Sequence, residues 1–271
     1  MPYDLTSFSV DKDLNLKLNF SNAYFERRDN IIDLFNRLFI LNKNVFKNKK
    51  ICITSGDYQE AESCYNEFDF KFSTTIDINN PFKYNFFPCP YSISWKQVDI
   101  HDADHLIKSL LKNNSQPYLN KIFWAGGPQH QQRFDYVEYS KINTDICETR
   151  VTDNSVESRN KNFISLMDHC NYRFLMDIQG QGYSARVKYL LATGRPVFIV
   201  PRRWTEHWHR LLIPWKHFIP VKEDFSDLKD HLNKINNDTA LYNYISENAK
   251  QFVRDNILLN VQLTFILNTL K

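Results

Sequence analysis

The residues best suited to chemistry lie in one short segment, in which two glycines are followed by a serine and an arginine. Gly180 and Gly182 separate an apolar run from a run with helical spacing, and Ser184 and Arg186 come soon after them. Glycine lets the backbone approach a ligand closely, and free N–H groups at a helix start, a hydroxyl and a forked guanidinium all suit a phosphate. The segment predicts an anion site at the first turn of a helix over residues 183–192.

A tight turn without any ligand explains the same glycines, with Arg186 on a solvated helix face. Ala185 stands where the dinucleotide-binding fingerprint has its third glycine, so the pattern speaks against an NAD-type site. The glycines alone therefore leave an anion site and a structural turn both open.

Three other groups of residues have types that could take part in chemistry. Asp57 follows a short apolar run and, from its spacing alone, is most simply a turn or cap residue. His101 and His105 share one helical face with acidic neighbours, but a third ligand is missing and an N-cap explains the acidic residues, so no metal site is predicted. The tryptophans and histidines within residues 204–209 either line a sugar site or pack as an aromatic surface.

Apolar runs of strand length alternate with runs of helical spacing along most of the chain. The expected helices cover residues 31–41, 103–111, 163–169 and 183–192, and the expected strands cover 14–18, 50–54, 68–72, 122–124, 172–178 and 196–200. Residues 238–271 have the pattern of two further helices. Alternation of strands and helices indicates an α/β protein with parallel sheets, and the polar stretch 149–162 is the expected boundary between two domains, 1–150 and 151–271.

The composition is that of a packed globular chain. Its 271 residues are 42% hydrophobic and 15% aromatic, and a net charge of +3 with scattered basic residues gives little reason to expect nucleic acid. Five cysteines without a Cys-x-x-Cys pair predict neither a disulfide framework nor a zinc ribbon. Neither a signal peptide nor a membrane span is recognised, so we expect a cytoplasmic protein for which peripheral membrane association stays open.

Several motifs, in a fixed order, resemble glycosyltransferase family 90. That family includes fungal capsule-associated xylosyltransferases, animal Rumi-type protein O-glucosyltransferases and bacterial lipopolysaccharide-modifying enzymes. The resemblance is dense over about residues 160–255. The motifs that carry it are the stretch 166–175, the turn through Arg186, the run 204–208, and the segments 212–221 and 224–228.

The resemblance implies a GT-B-type fold, in which two Rossmann-like domains with parallel sheets face a cleft. Domain 1–150 would bind the acceptor, and domain 151–271 would bind a nucleotide-sugar donor, a UDP-sugar. The implied reaction is metal-independent and inverts the sugar carbon, with no cofactor besides the donor. A glucose or xylose type of sugar would pass to a glycan hydroxyl, such as one on bacterial lipopolysaccharide.

The donor-binding residues that the resemblance implies fall on matching positions of this sequence. Ser184 and Arg186 match the family's Ser-x-Arg phosphate motif, and Gly180 matches the glycine before it. Gly126 and Arg133 resemble the family's Phe-Arg-Gly…Arg segment. These residues, with Gly182, form the expected site for the donor diphosphate.

Asp57 lies where the family has its catalytic base, and Glu206 matches a family glutamate that would bind sugar hydroxyls. If Asp57 is not the base, the carboxylates of Glu206 and Asp177 are the next candidates. A catalytically inactive nucleotide- or carbohydrate-binding module of the same fold is an alternative, and a Rossmann-type oxidoreductase is a third class supported only by Gly-x-Gly. The alternative is motivated by three positions at which the family arginine is replaced, namely Gly56, Ala125 and Gln179.

Overall fold

A computed structural model of the chain describes residues 5–20, 25–56, 67–79, 85–152 and 161–270. The chain divides into two compact units, and each is assembled from more than one stretch of sequence. The sequence predicted a single break near residue 150, whereas this division assigns residues 105–150 to the second unit. The first unit comprises Met1–Asp104, Arg203–Arg210 and Asn256–Lys271, and the second comprises His105–Arg202 and Leu211–Asp255.

Twelve strands and seven α-helices lie within the described residues. The strands are β1 (Leu5–Val10), β2 (Leu16–Phe20), β3 (Lys49–Thr54), β4 (Phe70–Ser73), β5 (Ile76–Asp77), β6 (Asn85–Phe86), β7 (Leu119–Gly126), β8 (Cys147–Val151), β9 (Tyr172–Asp177), β10 (Val197–Ile199), β11 (Trp204–Thr205) and β12 (Ile219–Pro220). The helices are α1 (Phe25–Leu41), α2 (Ala103–Lys112), α3 (Gln131–Ile142), α4 (Val187–Ala192), α5 (Leu228–Asn236), α6 (Thr239–Asn256) and α7 (Leu259–Thr269). None of these helices is both long enough and apolar enough to cross a membrane.

The first unit is built on a mixed sheet with the strand order β2-β1-β3-β4-β6. Strands β3, β4 and β6 are parallel, while β1 runs antiparallel to both of its neighbours. The predicted β-α-β order is therefore present, but β1, which was not predicted, lies between β2 and β3. Helix α7 returns from the end of the chain and packs Leu259, Leu263 and Ile266 into the core of this unit.

The second unit contains an all-parallel sheet with the order β12-β10-β9-β7-β8. Its central strand β9 has consecutive buried residues, Phe174, Leu175 and Met176, as expected for a strand covered on both faces. The carboxyl ends of parallel strands meet at one edge of the sheet. That edge carries Asp177 at the end of β9 and Gly126 at the end of β7.

Two predicted helices differ from the structure. Residues 163–169 do not form a helix, and the regular element nearby is the short 3-10 helix Asp168–Asn171. The helix predicted over 183–192 begins only at Val187, because Tyr183 and Ser184 are buried and the Ser184 hydroxyl bonds to Asp177. Tertiary contacts thus override the local helical pattern. The strand predicted at 172–178 and the two C-terminal helices are confirmed.

Candidate functional site

A fully buried carboxylate organises the carboxyl edge of the second unit's sheet. Asp177 has no exposed surface, and one of its oxygens, Oδ1, accepts the Ser184 hydroxyl at 2.7 Å. The other oxygen, Oδ2, accepts Arg202 Nη1 at 2.5 Å. Both carboxylate oxygens are therefore engaged, so Asp177 is unsuited to the role of an alternative general base that the sequence suggested.

Two further arginines lie over the faces of one buried indole. The guanidinium carbons of Arg133 and Arg186 are 5.8 Å and 5.7 Å from the ring centre of Trp124. Arg133 donates from Nη1 to the Gly127 carbonyl at 3.0 Å and from Nη2 to the Ile178 carbonyl at 3.2 Å. Arg186 donates from Nη1 to the Ala125 carbonyl. The backbone of β7 and the end of β9 thus hold both guanidinium groups at the same edge.

Three donor groups in this cluster are buried and have no hydrogen-bond partner among the residues that the structure describes. They are Arg133 Nε, Arg186 Nη2 and Trp124 Nε1. Buried donors are normally satisfied, and a set of unsatisfied ones marks a place for a missing acceptor. Because all three groups are donors, the arrangement suits an acceptor-rich anion.

The net positive charge of the cluster also favours an anion. Arg133, Arg186 and Arg202 carry three positive charges against the single negative charge of Asp177. Burial, together with the charges of Arg186 and Arg202, lowers the pKa of Arg133 to about 9. Burial is likewise the main cause that lowers the pKa of Arg186. The charged guanidinium groups lie in an unfavourable environment that an anion would relieve.

The predicted glycines leave space for these arginines. A Cβ atom at Gly126 would lie 3.2 Å from Arg186 Nη1 and 3.2 Å from Trp124 Cζ2, closer than nearly all real Cβ contacts. A Cβ atom at Gly180 would lie 3.4 Å from Arg133 Nη2, which is an ordinary contact. A side chain at Gly126 would therefore be more crowded than one at Gly180, and Gly182 is buried in the same turn as Gly180.

Ser184 differs from the expected phosphate donor. Its single hydroxyl proton is directed to Asp177, and helix α4, only six residues long, starts three residues later. The predicted start of the helix at residue 183 is therefore wrong, and the contact of an anion with this turn stays a prediction. The buried guanidinium groups of Arg133 and Arg186, rather than helix N–H groups, supply the unpartnered donors among the described residues of this edge.

A histidine and a glutamine border the cluster. His130 caps helix α3, since its Nδ1 accepts the Gln132 backbone N–H at 3.3 Å. Its Nε2 lies 3.3 Å from the side-chain nitrogen of Gln179. Burial and the charge of Arg133 lower the pKa of His130, so the ring is neutral and holds the helix that carries Arg133.

Glu206 lies in the first unit, whereas the other predicted donor residues lie together in the second. Its side chain is fully buried, and Oε2 accepts the Trp208 indole N–H at 3.2 Å. Asp57 lies outside the described residues. The described chain ends just before it at Gly56, whose carbonyl accepts the Thr75 hydroxyl at 2.5 Å.

Within the described ranges, no group of three or more His, Cys, Asp or Glu side chains is arranged so that it could hold a metal ion. His101, which shares a helical face with His105 and acidic neighbours in the sequence, is exposed, and its Nε2 lies 3.0 Å from Asp99 Oδ1. The pattern is therefore a surface feature.

Arg202 and Trp124 are the site residues that sequence reasoning missed. Both follow or lie in strands whose carboxyl ends meet at the Asp177 edge, and ligands of parallel α/β sheets bind at such edges. The signal that could have identified Arg202 is its position three residues beyond the end of the buried strand β10.

The sequence model of "Glycosyl transferase family 90" matches residues 70–270 of this chain. Among curated proteins, human protein O-glucosyltransferase 1 is 31% identical over 156 residues, covering 54% of this chain and 38% of that protein. O-glucosyltransferase rumi of Drosophila melanogaster is 28% identical over 108 residues, covering 37% of this chain and 26% of that protein. The matches thus span about two fifths or less of these relatives' length.

A glycosyltransferase from Rickettsia africae ESF-5 has a similar solved structure. The TM-score is 0.52 at 13% identity, and the match covers 93% of this chain and 82% of the other. At this identity the likeness bears on the fold alone, and it confirms the predicted GT-B-type α/β class.

Proposed function

Because this chain belongs to glycosyl transferase family 90, we propose that it transfers a sugar from a UDP-sugar to an acceptor hydroxyl. The family match covers about three quarters of the chain and includes every predicted donor residue. The proposed reaction inverts the sugar carbon and needs no metal ion. The observation that carries the proposal is the buried cluster of Arg133, Arg186 and Arg202.

The cluster has the properties that a diphosphate-binding site requires. It combines three guanidinium groups with one carboxylate, and Arg133, Arg186 and Trp124 offer donors that have no partner among the described residues. A diphosphate brings negative charge and several acceptor oxygens, and arginine binds such groups with paired N–H donors. As the bond between sugar and UDP breaks, the same guanidinium groups would stabilise the charge that develops on the leaving diphosphate.

The proposed general base is Asp57, whose position after strand β3 suits that role. The described residues just before it are firmly held, since Arg27 Nη1 donates to the Ser55 carbonyl at 3.3 Å and Thr75 bonds to Gly56. Strand β3 is parallel to β4, so its end lies at the carboxyl edge of the first unit's sheet. A carboxylate there would remove the acceptor proton as the acceptor oxygen attacks the sugar.

The sugar and acceptor classes rest on the relatives. Their names describe transfer of glucose to oxygen, which supports a sugar of glucose or xylose type and a hydroxyl acceptor. We propose a bacterial lipopolysaccharide or another surface glycan as the acceptor and the cytoplasm as the site of action. Three of the described cysteines, Cys52, Cys147 and Cys170, are buried free thiols, which suits a reducing compartment.

Calorimetry and a turnover assay test the proposal. UDP should bind the purified chain and NAD should not, and a UDP-sugar should release UDP when a suitable glycan is present. If the chain binds neither UDP nor any other nucleoside diphosphate, the proposed donor site is refuted.

A catalytically inactive binding module is a second candidate, favoured by two replaced family arginines. Ala125 contributes only its carbonyl to Arg186, and the side chain of Gln179 lies against His130. This candidate predicts UDP binding without release of UDP from any UDP-sugar, either to water or to a glycan. Turnover above the uncatalysed rate would exclude it.

A further inference from the structure

The hydrogen bond between Ser184 and Asp177 has a direct consequence for how the donor site works. Asp177 accepts Arg202 Nη1 at Oδ2 and the Ser184 hydroxyl at Oδ1, so both of its oxygens act as hydrogen-bond acceptors. The Ser184 hydroxyl has one proton, and the 2.7 Å bond to Asp177 uses it. Ser184 Oγ then has only lone pairs to direct at a phosphate oxygen, and these lone pairs repel that oxygen.

Asp177 also joins two segments that are distant in sequence. Through Ser184 it holds the turn that follows β9 and leads to Arg186. Through Arg202 it holds the chain that follows β10, and Arg202 donates in addition to the carbonyls of Asp177 and Val200 at 3.3 Å each. Arg202 is buried, and its guanidinium nitrogens all have partners in Asp177 and Val200.

On the basis of the proposed function, we infer that Asp177 and Arg202 are positioning residues of the donor site and that Ser184 acts through Asp177. The pair fixes the turn so that Arg186 Nη2 and Arg133 Nε are presented to the diphosphate. Ser184 is a latch of this turn and gives no hydrogen bond to the phosphate. The direct phosphate contacts then come from Arg133, Arg186 and the indole N–H of Trp124.

A double-mutant cycle on UDP affinity tests this inference. Replacing Asp177 alone would leave Arg202 buried without its counter-ion and would raise the net charge of the cluster. The paired change Asp177→Val with Arg202→Met removes one charge of each sign and avoids an unpaired buried ion. The paired change also removes the acceptor of the Ser184 hydroxyl. Ser184→Ala is therefore made twice, once in the unaltered chain and once in this double variant, which is called the paired background.

In the unaltered chain, Ser184→Ala should weaken UDP binding about tenfold, the lower part of the range for a bond to a charged group. In the paired background the same change should alter UDP affinity less than about twofold, because the latch is already absent. Ser140→Ala is the matched control. Ser140 is a buried serine of the same unit that bonds the Val137 carbonyl and Thr149, and its loss should leave UDP affinity unchanged.

Each outcome separates the possibilities. Equal losses from Ser184→Ala in both backgrounds would show a direct contact with phosphate and overturn the inference while leaving the proposed function intact. Unchanged UDP affinity in all folded variants, with only their melting temperatures lowered, would show a purely structural role and also overturn it. If the unaltered chain does not bind UDP, the proposed function fails and the inference fails with it.

Discussion

Replacing Arg186 with alanine is the most direct test of the donor site. One guanidinium nitrogen, Nη1, is used by the Ala125 carbonyl, and Nη2 is buried with no partner within the described part of the chain. We expect one charge-assisted bond from Nη2 to the diphosphate. A hydrogen bond to a charged group contributes about 1.5–3 kcal/mol, so Arg186→Ala should weaken UDP binding by roughly 10- to 150-fold.

Two further variants show whether the loss comes from this contact. Arg186→Lys keeps the charge but has one nitrogen, which cannot serve both the Ala125 carbonyl and the phosphate, so an intermediate loss is expected. Arg173→Ala is the matched control for net charge. Arg173 lies in the same strand as Asp177, four residues earlier, with its guanidinium over the rings of Phe174 and Tyr242.

The assay is calorimetric titration of UDP into each variant, with circular dichroism to verify folding. Arg173→Ala should change the affinity less than about twofold, because Arg173 lies four residues before Asp177 along β9, away from the carboxyl edge of the sheet. Unchanged UDP affinity in folded Arg186→Ala, or an equal loss in Arg173→Ala, would refute the placement of the diphosphate.

Four other expectations follow from the site and its surroundings. Gly126→Ala should weaken UDP binding in the same titration, because the added methyl group crowds Arg186 and Trp124. Overpacking of this kind costs about 1–3 kcal/mol. A UDP affinity equal to that of the unaltered chain would show that the neighbouring side chains relax freely. Turnover should continue in excess EDTA, since arginines stabilise the leaving diphosphate, and activity lost in EDTA and restored by manganese would contradict this. Asp57→Asn should lower transfer by about 10²- to 10⁴-fold with UDP affinity unchanged, and a variant that transfers at the original rate would remove Asp57 as the base. Burial lowers the pKa of His169 from 6.5 to about 4, so the unfolded chain binds the proton more readily and the free energy of unfolding falls as pH drops through this window. The fall should reach at most about 3 kcal/mol in urea titrations and should be absent in His169→Phe; equal pH dependence in both proteins would contradict the assignment.

The sequence was sufficient for the fold class, and it identified the segment in which we propose that the donor diphosphate binds. Strand β9 is a continuous apolar run followed by glycines, and such a run is buried on both faces in whatever parallel sheet it joins. The anion site predicted for the segment from Gly180 to Arg186 rested on residue types, which by themselves left a structural turn without a ligand equally open. These features are local, so they could be predicted without knowing the neighbours.

Only the tertiary structure decided which partners these residues have. Arg202 meets Asp177 across 25 positions of sequence, and Arg186 reaches the Ala125 carbonyl across 61. The order of the strands brings these groups to one edge, and no periodicity within a single segment encodes that order. The bond between Ser184 and Asp177 likewise explains why helix α4 starts late.

The grouping of segments into two units depends on packing in the same way. Helix α7 has an apolar pattern that predicts a buried face, but the pattern does not specify which core receives it. In the structure Leu259, Leu263 and Ile266 join the core of the first unit, more than 170 residues after the last strand of its sheet. The free energy gained by burying apolar area depends neither on direction nor on distance along the sequence. Local patterns therefore determine which face of a helix is buried. Which core that face packs against is determined by competition among all apolar surfaces of the folded chain.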